Sequence, residues 1–218
     1  MNTHCTKEIS DYAKTLIHSR HNVSPRRLND PGPSPQQLQL ILGAAAAAPD
    51  HGRLMPWRFV VVPQTQRERL ALVFGQALRD RDPNASPQQV ENAREKAYRS
   101  PFLMLAIACL TDPKQRDACA SGRGMHHPES TEAEVGDAER LVSLGCAIQN
   151  MLLSAHAEGL GTGLTSGQAM HSPRLRELFG LRDNEQAVCC INIGTVTQRK
   201  LSKLRPEISD YVSELSPL

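Results

Sequence analysis

One segment constrains the fold of this 218-residue chain more than any other. Between Asp137 and Glu158, apolar residues recur at helical spacing: Leu141, Val142, Leu144, Ala147, Ile148, Met151, Leu152 and Ala155. They point to nearly every side of the helix rather than to one stripe. Such a helix is buried in the middle of a protein, so the other elements must be arranged around it. A chain of this length has a thin shell to offer. The surplus of apolar surface predicts an interface with a second copy, of the kind that resembles a divided core.

The remaining elements follow from periodicity and punctuation. Ile9, Tyr12, Ala13, Leu16 and Ile17 form the stripe of an amphipathic helix over 7–20,. Residues 21–33 hold three prolines and a glycine and read as an extended loop,. Ser34-Pro35-Gln36-Gln37 has the residues of a capping box and opens a helix with Leu38, Ile41, Leu42 and Ala45 on its apolar face, running to Ala48 before Pro49,. Ser86-Pro87-Gln88-Gln89 repeats the signal for a polar helix to about Arg99, and Thr65-x-x-Glu68 reads as a further box,. Ser172-Pro173 caps a short helix to Phe179,. Strands are expected at Phe59–Val62, Phe102–Leu110 and Ala187–Ile193, with a short extended piece through Ser166 after the glycine-rich turn Gly159–Gly163,. The sum is an α+β domain, 1–218, with helices in the majority. A polar loop over 112–136 is a candidate lid, and 197–218 forms a charged tail,.

Charge and cysteine usage remove several classes. Twenty-five Lys and Arg against 23 Asp and Glu leave a net charge of +2, too small an excess for electrostatic binding of nucleic acid. The apolar runs fall short of the ~20 residues that a bilayer requires, so no membrane span is expected. Met1–Lys14 has no apolar signal core, which points to the cytoplasm,. None of the six cysteines forms a C-x-x-C pair, and no Cys/His cluster has zinc spacing, so no metal site is expected,. His126 and His127 lie together in the polar loop.

The common catalytic signatures are absent: no nucleophile elbow, no P-loop and no G-x-G-x-x-G after a strand. Gly159-x-Gly161-x-Gly163 follows a helix and reads as a helix stop and turn,. Two segments do stand out. Ser19-Arg20-His21-Asn22 gathers one fixed cation and several hydrogen-bonding groups at a helix end, and a guanidinium fork suits phosphate,. Ala48-Pro49-Asp50-His51, followed by Pro56-Trp57-Arg58-Phe59, holds the single tryptophan between a helix stop and a strand.

Together with the glycine-rich turn Gly159–Gly167, these segments resemble the nitroreductase family of flavin oxidoreductases, in order and spacing, from about Tyr12 to Thr195. The pair Asp50-His51 and the length are most similar to the small, single-domain bacterial branch. The resemblance implies a sheet flanked by helices in an intertwined homodimer, with FMN at the interface. It implies Arg20 on the flavin phosphate, and His21 and Asn22 further along the cofactor. His51, beside Asp50, is expected to reach the flavin from the partner subunit. Leu164, Thr165, Ser166 and Gly167 should lie along the ring system, and Lys203 or Arg205 of the tail near the phosphate. Asn22 stands where serine is usual, and Ala47 where close relatives can carry an arginine. Ser24 stands where many members have a cation, which predicts a lower flavin potential.

The activity implied is transfer of a hydride from NADH or NADPH to a small nitroaromatic, quinone or similar electron-poor acceptor. No catalytic side chain is named, because a flavin carries that chemistry itself. The missing nucleotide fingerprint agrees with a nicotinamide that binds only in passing. Two alternatives stay open: other flavin chemistry on the same fold, such as a dehalogenase or dehydrogenase, and a helical interaction protein without a cofactor.

Overall fold

The computed structural model describes residues 3–112, 135–198 and 204–215. Most of the expected loop over 112–136, with His126 and His127, lies outside them, as does Lys203. The described elements run in the order α1 Thr3–Ser19, β1 Leu28–Asn29, α2 Pro35–Ala45, β2 Trp57–Val61, α3 Arg67–Arg81, α4 Pro87–Arg94, β3 Phe102–Cys109, α5 Asp137–Ala157, β4 Gly161–Thr165, α6 Pro173–Phe179 and β5 Glu185–Val196. No described helix is long and apolar enough to cross a membrane.

The strands build one antiparallel sheet around β5. On one side β5 pairs with β3, which pairs in turn with β2. On the other side it pairs with β4 and then with β1. Both faces are covered, which explains why Phe102–Leu110 is apolar without alternation. Met104, Ala106 and Ala108 pack with Ile41 of α2 and with Leu144, Ala147 and Met151 of α5. Leu103, Leu105 and Ile107, offset by the period of two, pack with Leu70, Ala71 and Phe74 of α3 and Leu175 of α6. A bulge at Ala106/Ile107 leaves Val188 out of the register. It brings Ala187 into the same core as Cys190, while Cys189 joins the opposite one,.

α5 is the central helix, but it is not wholly covered: Leu141 and Val142 remain exposed. α1 is the sharper case. It forms as expected, yet Ile9, Tyr12 and Ile17 of its stripe are 55%, 62% and 48% exposed. Burying such side chains is worth about 1.5–3 kcal/mol each.

The helix starts divide. Ser34 and Ser86 form complete capping boxes with Gln37 and Gln89. The box expected at Thr65–Glu68 does not form: after Pro63 the chain makes a 3-10 turn over Gln64–Gln66, which consumes Thr65, and α3 begins at Arg67. Ser172 precedes α6 but gives it no side-chain cap. Instead its carbonyl accepts from the Leu175 and Arg176 amides, and its hydroxyl is buried without a partner among the described residues. α2 stops at Ala45, and Ala46–Ala48 tighten into a three-residue-spaced turn. α4 stops at Arg94 and continues as a 3-10 turn over Glu95–Tyr98.

Candidate functional site

The first-helix segment and the glycine-rich segment, remote in sequence, meet side by side. Asn22 forms a parallel bridge with Thr162, and the Val23 amide donates to the Thr162 carbonyl at 2.8 Å. The Leu164 amide donates to Asn22 Oδ1 at 3.1 Å. Asn22 therefore secures β4 with its side-chain oxygen. By the alternation of a strand, the next amide on that edge is Ser166's. Gly163 makes the approach feasible, because a Cβ there would fall on the Val23 carbonyl oxygen. The first glycine of the run serves differently: Gly159, with φ +78°, ends α5,.

Two cations converge at the end of α1. The Arg205 guanidinium donates to the His18 and Arg20 carbonyls at 2.9 and 3.2 Å, satisfying the C-terminal end of the helix,. The neighbouring Arg20 guanidinium is half-buried. Its pKa is lowered by burial first and by the charge of Arg205 second. Among the described residues neither arginine forms a salt bridge. Two like charges held together in this way favour an anion between them. His21 is exposed beside them.

Past Thr165 the chain borders a cavity of about 400 Å³. Thr165, Ser166 and Gly167 form one wall, with Gly167 at φ +125°. Arg26, Arg81, Lys96 and Arg99 also line it, and no carboxylate does among the described residues. Burial and then the charge of Arg26 lower the Arg99 pKa, and Arg99 Nε is buried without a partner among the described residues. Arg26, two residues after Ser24, and Lys96 and Arg99 of the turn after α4 bring positive charge to this cavity. The floor includes Cys190, whose thiol burial pushes up to about 12, so it stays protonated and unreactive,.

His51 is not part of this assembly within one chain. Its amide donates to Ser143 Oγ at 3.4 Å, near the start of α5. The Arg20 segment is fastened at the other end of the same helix, where Ser19 Oγ lies 2.7 Å from His156 Nε2. The helix between Ser143 and His156 is about 20 Å long at 1.5 Å per residue. The loop that carries His51 is also strained. Arg53 and Met55 adopt left-handed φ of 54° and 46°, conformations that cost on the order of 1–3 kcal/mol each and gather at functional sites. Asp50 Oδ2 accepts from the Met55 amide at 2.6 Å, while Oδ1 is buried without a partner among the described residues.

Several residues of the site escaped the sequence reading. Arg26, Lys96 and Arg99 sit in polar stretches where a cation is ordinary, and only the fold turns them toward one cavity. Glu185 is a second such case. Its buried carboxylate takes a bidentate pair from Arg58 at 2.7 and 2.8 Å and further bonds from Arg182. The Arg58 hydrogen bonds, with help from Arg182, hold its pKa at about 2 against the opposing effect of burial.

Known proteins share this three-layered sheet-and-helix fold, and their similarity to the chain gives its family. The nitroreductase family model matches residues 17–195. A Haemophilus influenzae protein named "Putative NAD(P)H nitroreductase" is 29% identical over 204 residues, covering 93% of this chain and 99% of its own. The Escherichia coli K12 protein of the same name, YdjA, is 31% identical over 185 residues, covering 85% and 88%. Among solved structures, a nitroreductase-like family protein from Bacillus cereus superposes with a TM-score of 0.72 at 19% identity, covering 92% of this chain and 94% of that one. A BluB-like flavoprotein from Clostridium difficile 630 superposes at 0.65 and 18% identity, covering 94% and 99%. The chain belongs to the nitroreductase family and is an oxidoreductase. The cofactor-free interaction protein is thereby set aside.

Proposed function

We propose that this enzyme binds FMN and uses NADH or NADPH to reduce a nitroaromatic, quinone or similar electron-poor acceptor. The observation that carries this reading is the pair of neighbouring cations Arg20 and Arg205 on the segment that Asn22 fastens to β4, the strand that runs on to the cation-lined cavity behind Thr165-Ser166-Gly167. The donors suit the group. A phosphate needs fixed cations, and among the described residues Arg20 and Arg205 have no carboxylate partner. A planar, electron-accepting ring needs a flat backbone wall and positive charge near its polar edge.

FMN, when bound, supplies the hydride chemistry between nicotinamide and acceptor. The side chains bind and tune. Arg20 and Arg205 hold the phosphate, and His21 and Asn22 hydrogen-bond further along the cofactor. Leu164, Thr165, Ser166 and Gly167 form the wall beside the ring system. Arg26, Lys96 and Arg99 favour negative charge that develops in the cavity, in an environment where such charges act strongly. No side chain is required as acid, base or nucleophile.

The working unit in this reading is a homodimer. Within one chain His51 lies a helix length from Arg20, so a second copy is what brings the two segments to one site. Ile9, Tyr12 and Ile17 of α1, with Leu141 and Val142 of α5, provide apolar surface for such a partner to cover.

The test is a visible spectrum of the purified protein, with mass spectrometry of the released chromophore. Twin flavin bands and the mass of FMN are expected. A colourless protein that also fails to bind added FMN overturns the reading.

A further inference from the structure

The two walls of the cavity come from distant parts of the chain, and one buried side chain touches the support of both. Asn192 of β5 is 1% exposed. Its Nδ2 donates to the Gly163 carbonyl at 3.0 Å and lies 3.1 Å from Thr165 Oγ1. Its Oδ1 lies 2.9 Å from the hydroxyl of Ser100, which is equally close to the Phe102 carbonyl and has one proton for the two. Ser100 follows Arg99 directly, and Thr165 begins the opposite wall. Asn192 does not itself line the cavity.

An amide presents a donor and an acceptor back to back, and this place uses both. A carboxylate of the same shape would turn an acceptor toward the Gly163 carbonyl. A leucine would leave buried polar groups unpaired, at about 1–3 kcal/mol each. The turn is also held from its other side. Arg67, 1% exposed, donates to the carbonyls of Val62, Ala97 and Pro101 at 2.9, 2.7 and 3.4 Å. The segment that carries Lys96 and Arg99 is thus fixed by two buried polar side chains, and of these two Asn192 is the one that also bonds to β4.

We infer that Asn192 is a positioning residue for the cofactor cavity: it sets the separation between the cation-bearing turn and the Thr165-Ser166-Gly167 wall. The inference rests on the flavin reading for its functional meaning but not for its geometry.

The full-length Asn192→Asp variant tests it with two readouts, each relative to wild type at the same pH. One is amide hydrogen exchange at residues 163–168 in flavin-free protein. The other is the affinity for added FMN. The variant's buried carboxyl, facing acceptors, has a raised pKa. At about pH 8, exchange should be on the order of tenfold faster and FMN binding on the order of tenfold weaker. Both should recover toward about pH 5.5, as the protonated carboxyl again donates to Gly163 while accepting from Ser100. Wild-type values at all pH, or a defect of one size at every pH, overturns the inference. If Asn192→Asp does not fold, Ser100→Ala serves: it should weaken FMN binding several-fold and speed exchange at 163–168, and no change in either overturns the inference. If wild type binds no FMN, the flavin reading fails, while pH-reversible exchange at 163–168 still supports the tether.

Discussion

The two ends of α5 are built differently. At its C-terminal end, Ser19, Asn22 and Val23 are hydrogen-bonded to α5 and β4, and Asn192 braces β4 from within. At its N-terminal end, the Asp50–Met55 loop holds two strained residues and one buried carboxylate oxygen without a described partner. One end is finished by its own chain. The other holds strained backbone and an acceptor with no described partner, and in the proposed dimer it is the segment that reaches the other subunit.

The largest expected effect strikes the finished end. Gly163→Ala places a methyl on the Val23 carbonyl oxygen. Separating β4 from the first-helix segment should cost at least about 2 kcal/mol of stability and abolish FMN binding. Thermal melting and FMN titration measure the two. A variant that melts and binds like wild type would show that the contact between the segments is dispensable.

A test of comparable size asks how the other end is held beyond the strained loop. Glu185 lies near that end, locked between Arg58 and Arg182. Its folded pKa of about 2 lies below the ordinary value of 4.5. The stability it contributes is therefore present above about pH 5 and lost as pH falls through about 2, amounting to at most about 3 kcal/mol. Glu185→Gln should be less stable at neutral pH, because it leaves Arg58 without its charge partner. It should also lose less stability than wild type between pH 5 and 2. Denaturant melts across that range decide the point, and parallel pH curves would mean that the cluster is not coupled to folding.

Next comes Arg20→Ala, which should weaken FMN binding by about 10- to 100-fold, the equivalent of one charged hydrogen-bonded contact. Arg20→Lys should recover part of this, since it restores charge without the planar fork. Riboflavin, which lacks the phosphate, should bind wild type and Arg20→Ala alike. A similar loss for riboflavin would remove Arg20 from the phosphate site.

What the sequence disclosed follows the same division. Periodicity located α5, and a sheet covered on both faces made β3 conspicuous as the apolar run Phe102–Leu110. Serine followed by proline and glutamine announced the starts of α2 and α4, because that box is made within four residues. The Thr65 box failed because Pro63 drew Thr65 into a preceding turn, a local competition that spacing alone does not resolve. Arg20, Asn22 and Leu164–Gly167 were legible only as candidates, through their resemblance to a family pattern. Arg26, Lys96, Arg99 and Asn192 were not. Their roles arise from neighbours remote in sequence, 27 to 92 residues away for the cross-element bonds of Asn192, and a lone arginine or asparagine in a polar or apolar run carries no mark of what will face it.

The smallest single-variant effect should come from His51→Ala, a several-fold loss of FMN affinity from one hydrogen-bonding side chain. Its value lies in combination with Arg20→Ala. If each site takes Arg20 from one chain and His51 from its partner, a mixed dimer of the two variants contains one site with both defects and one with neither. Co-expressed variants carrying different tags, purified as the doubly tagged species, should then bind one FMN per dimer with wild-type affinity. If each site were built within one chain, both sites of the mixed dimer would be defective and no wild-type binding would appear. The stoichiometry of the tight-binding fraction thus reads directly whether the strained end of α5 in one subunit completes the finished end in the other.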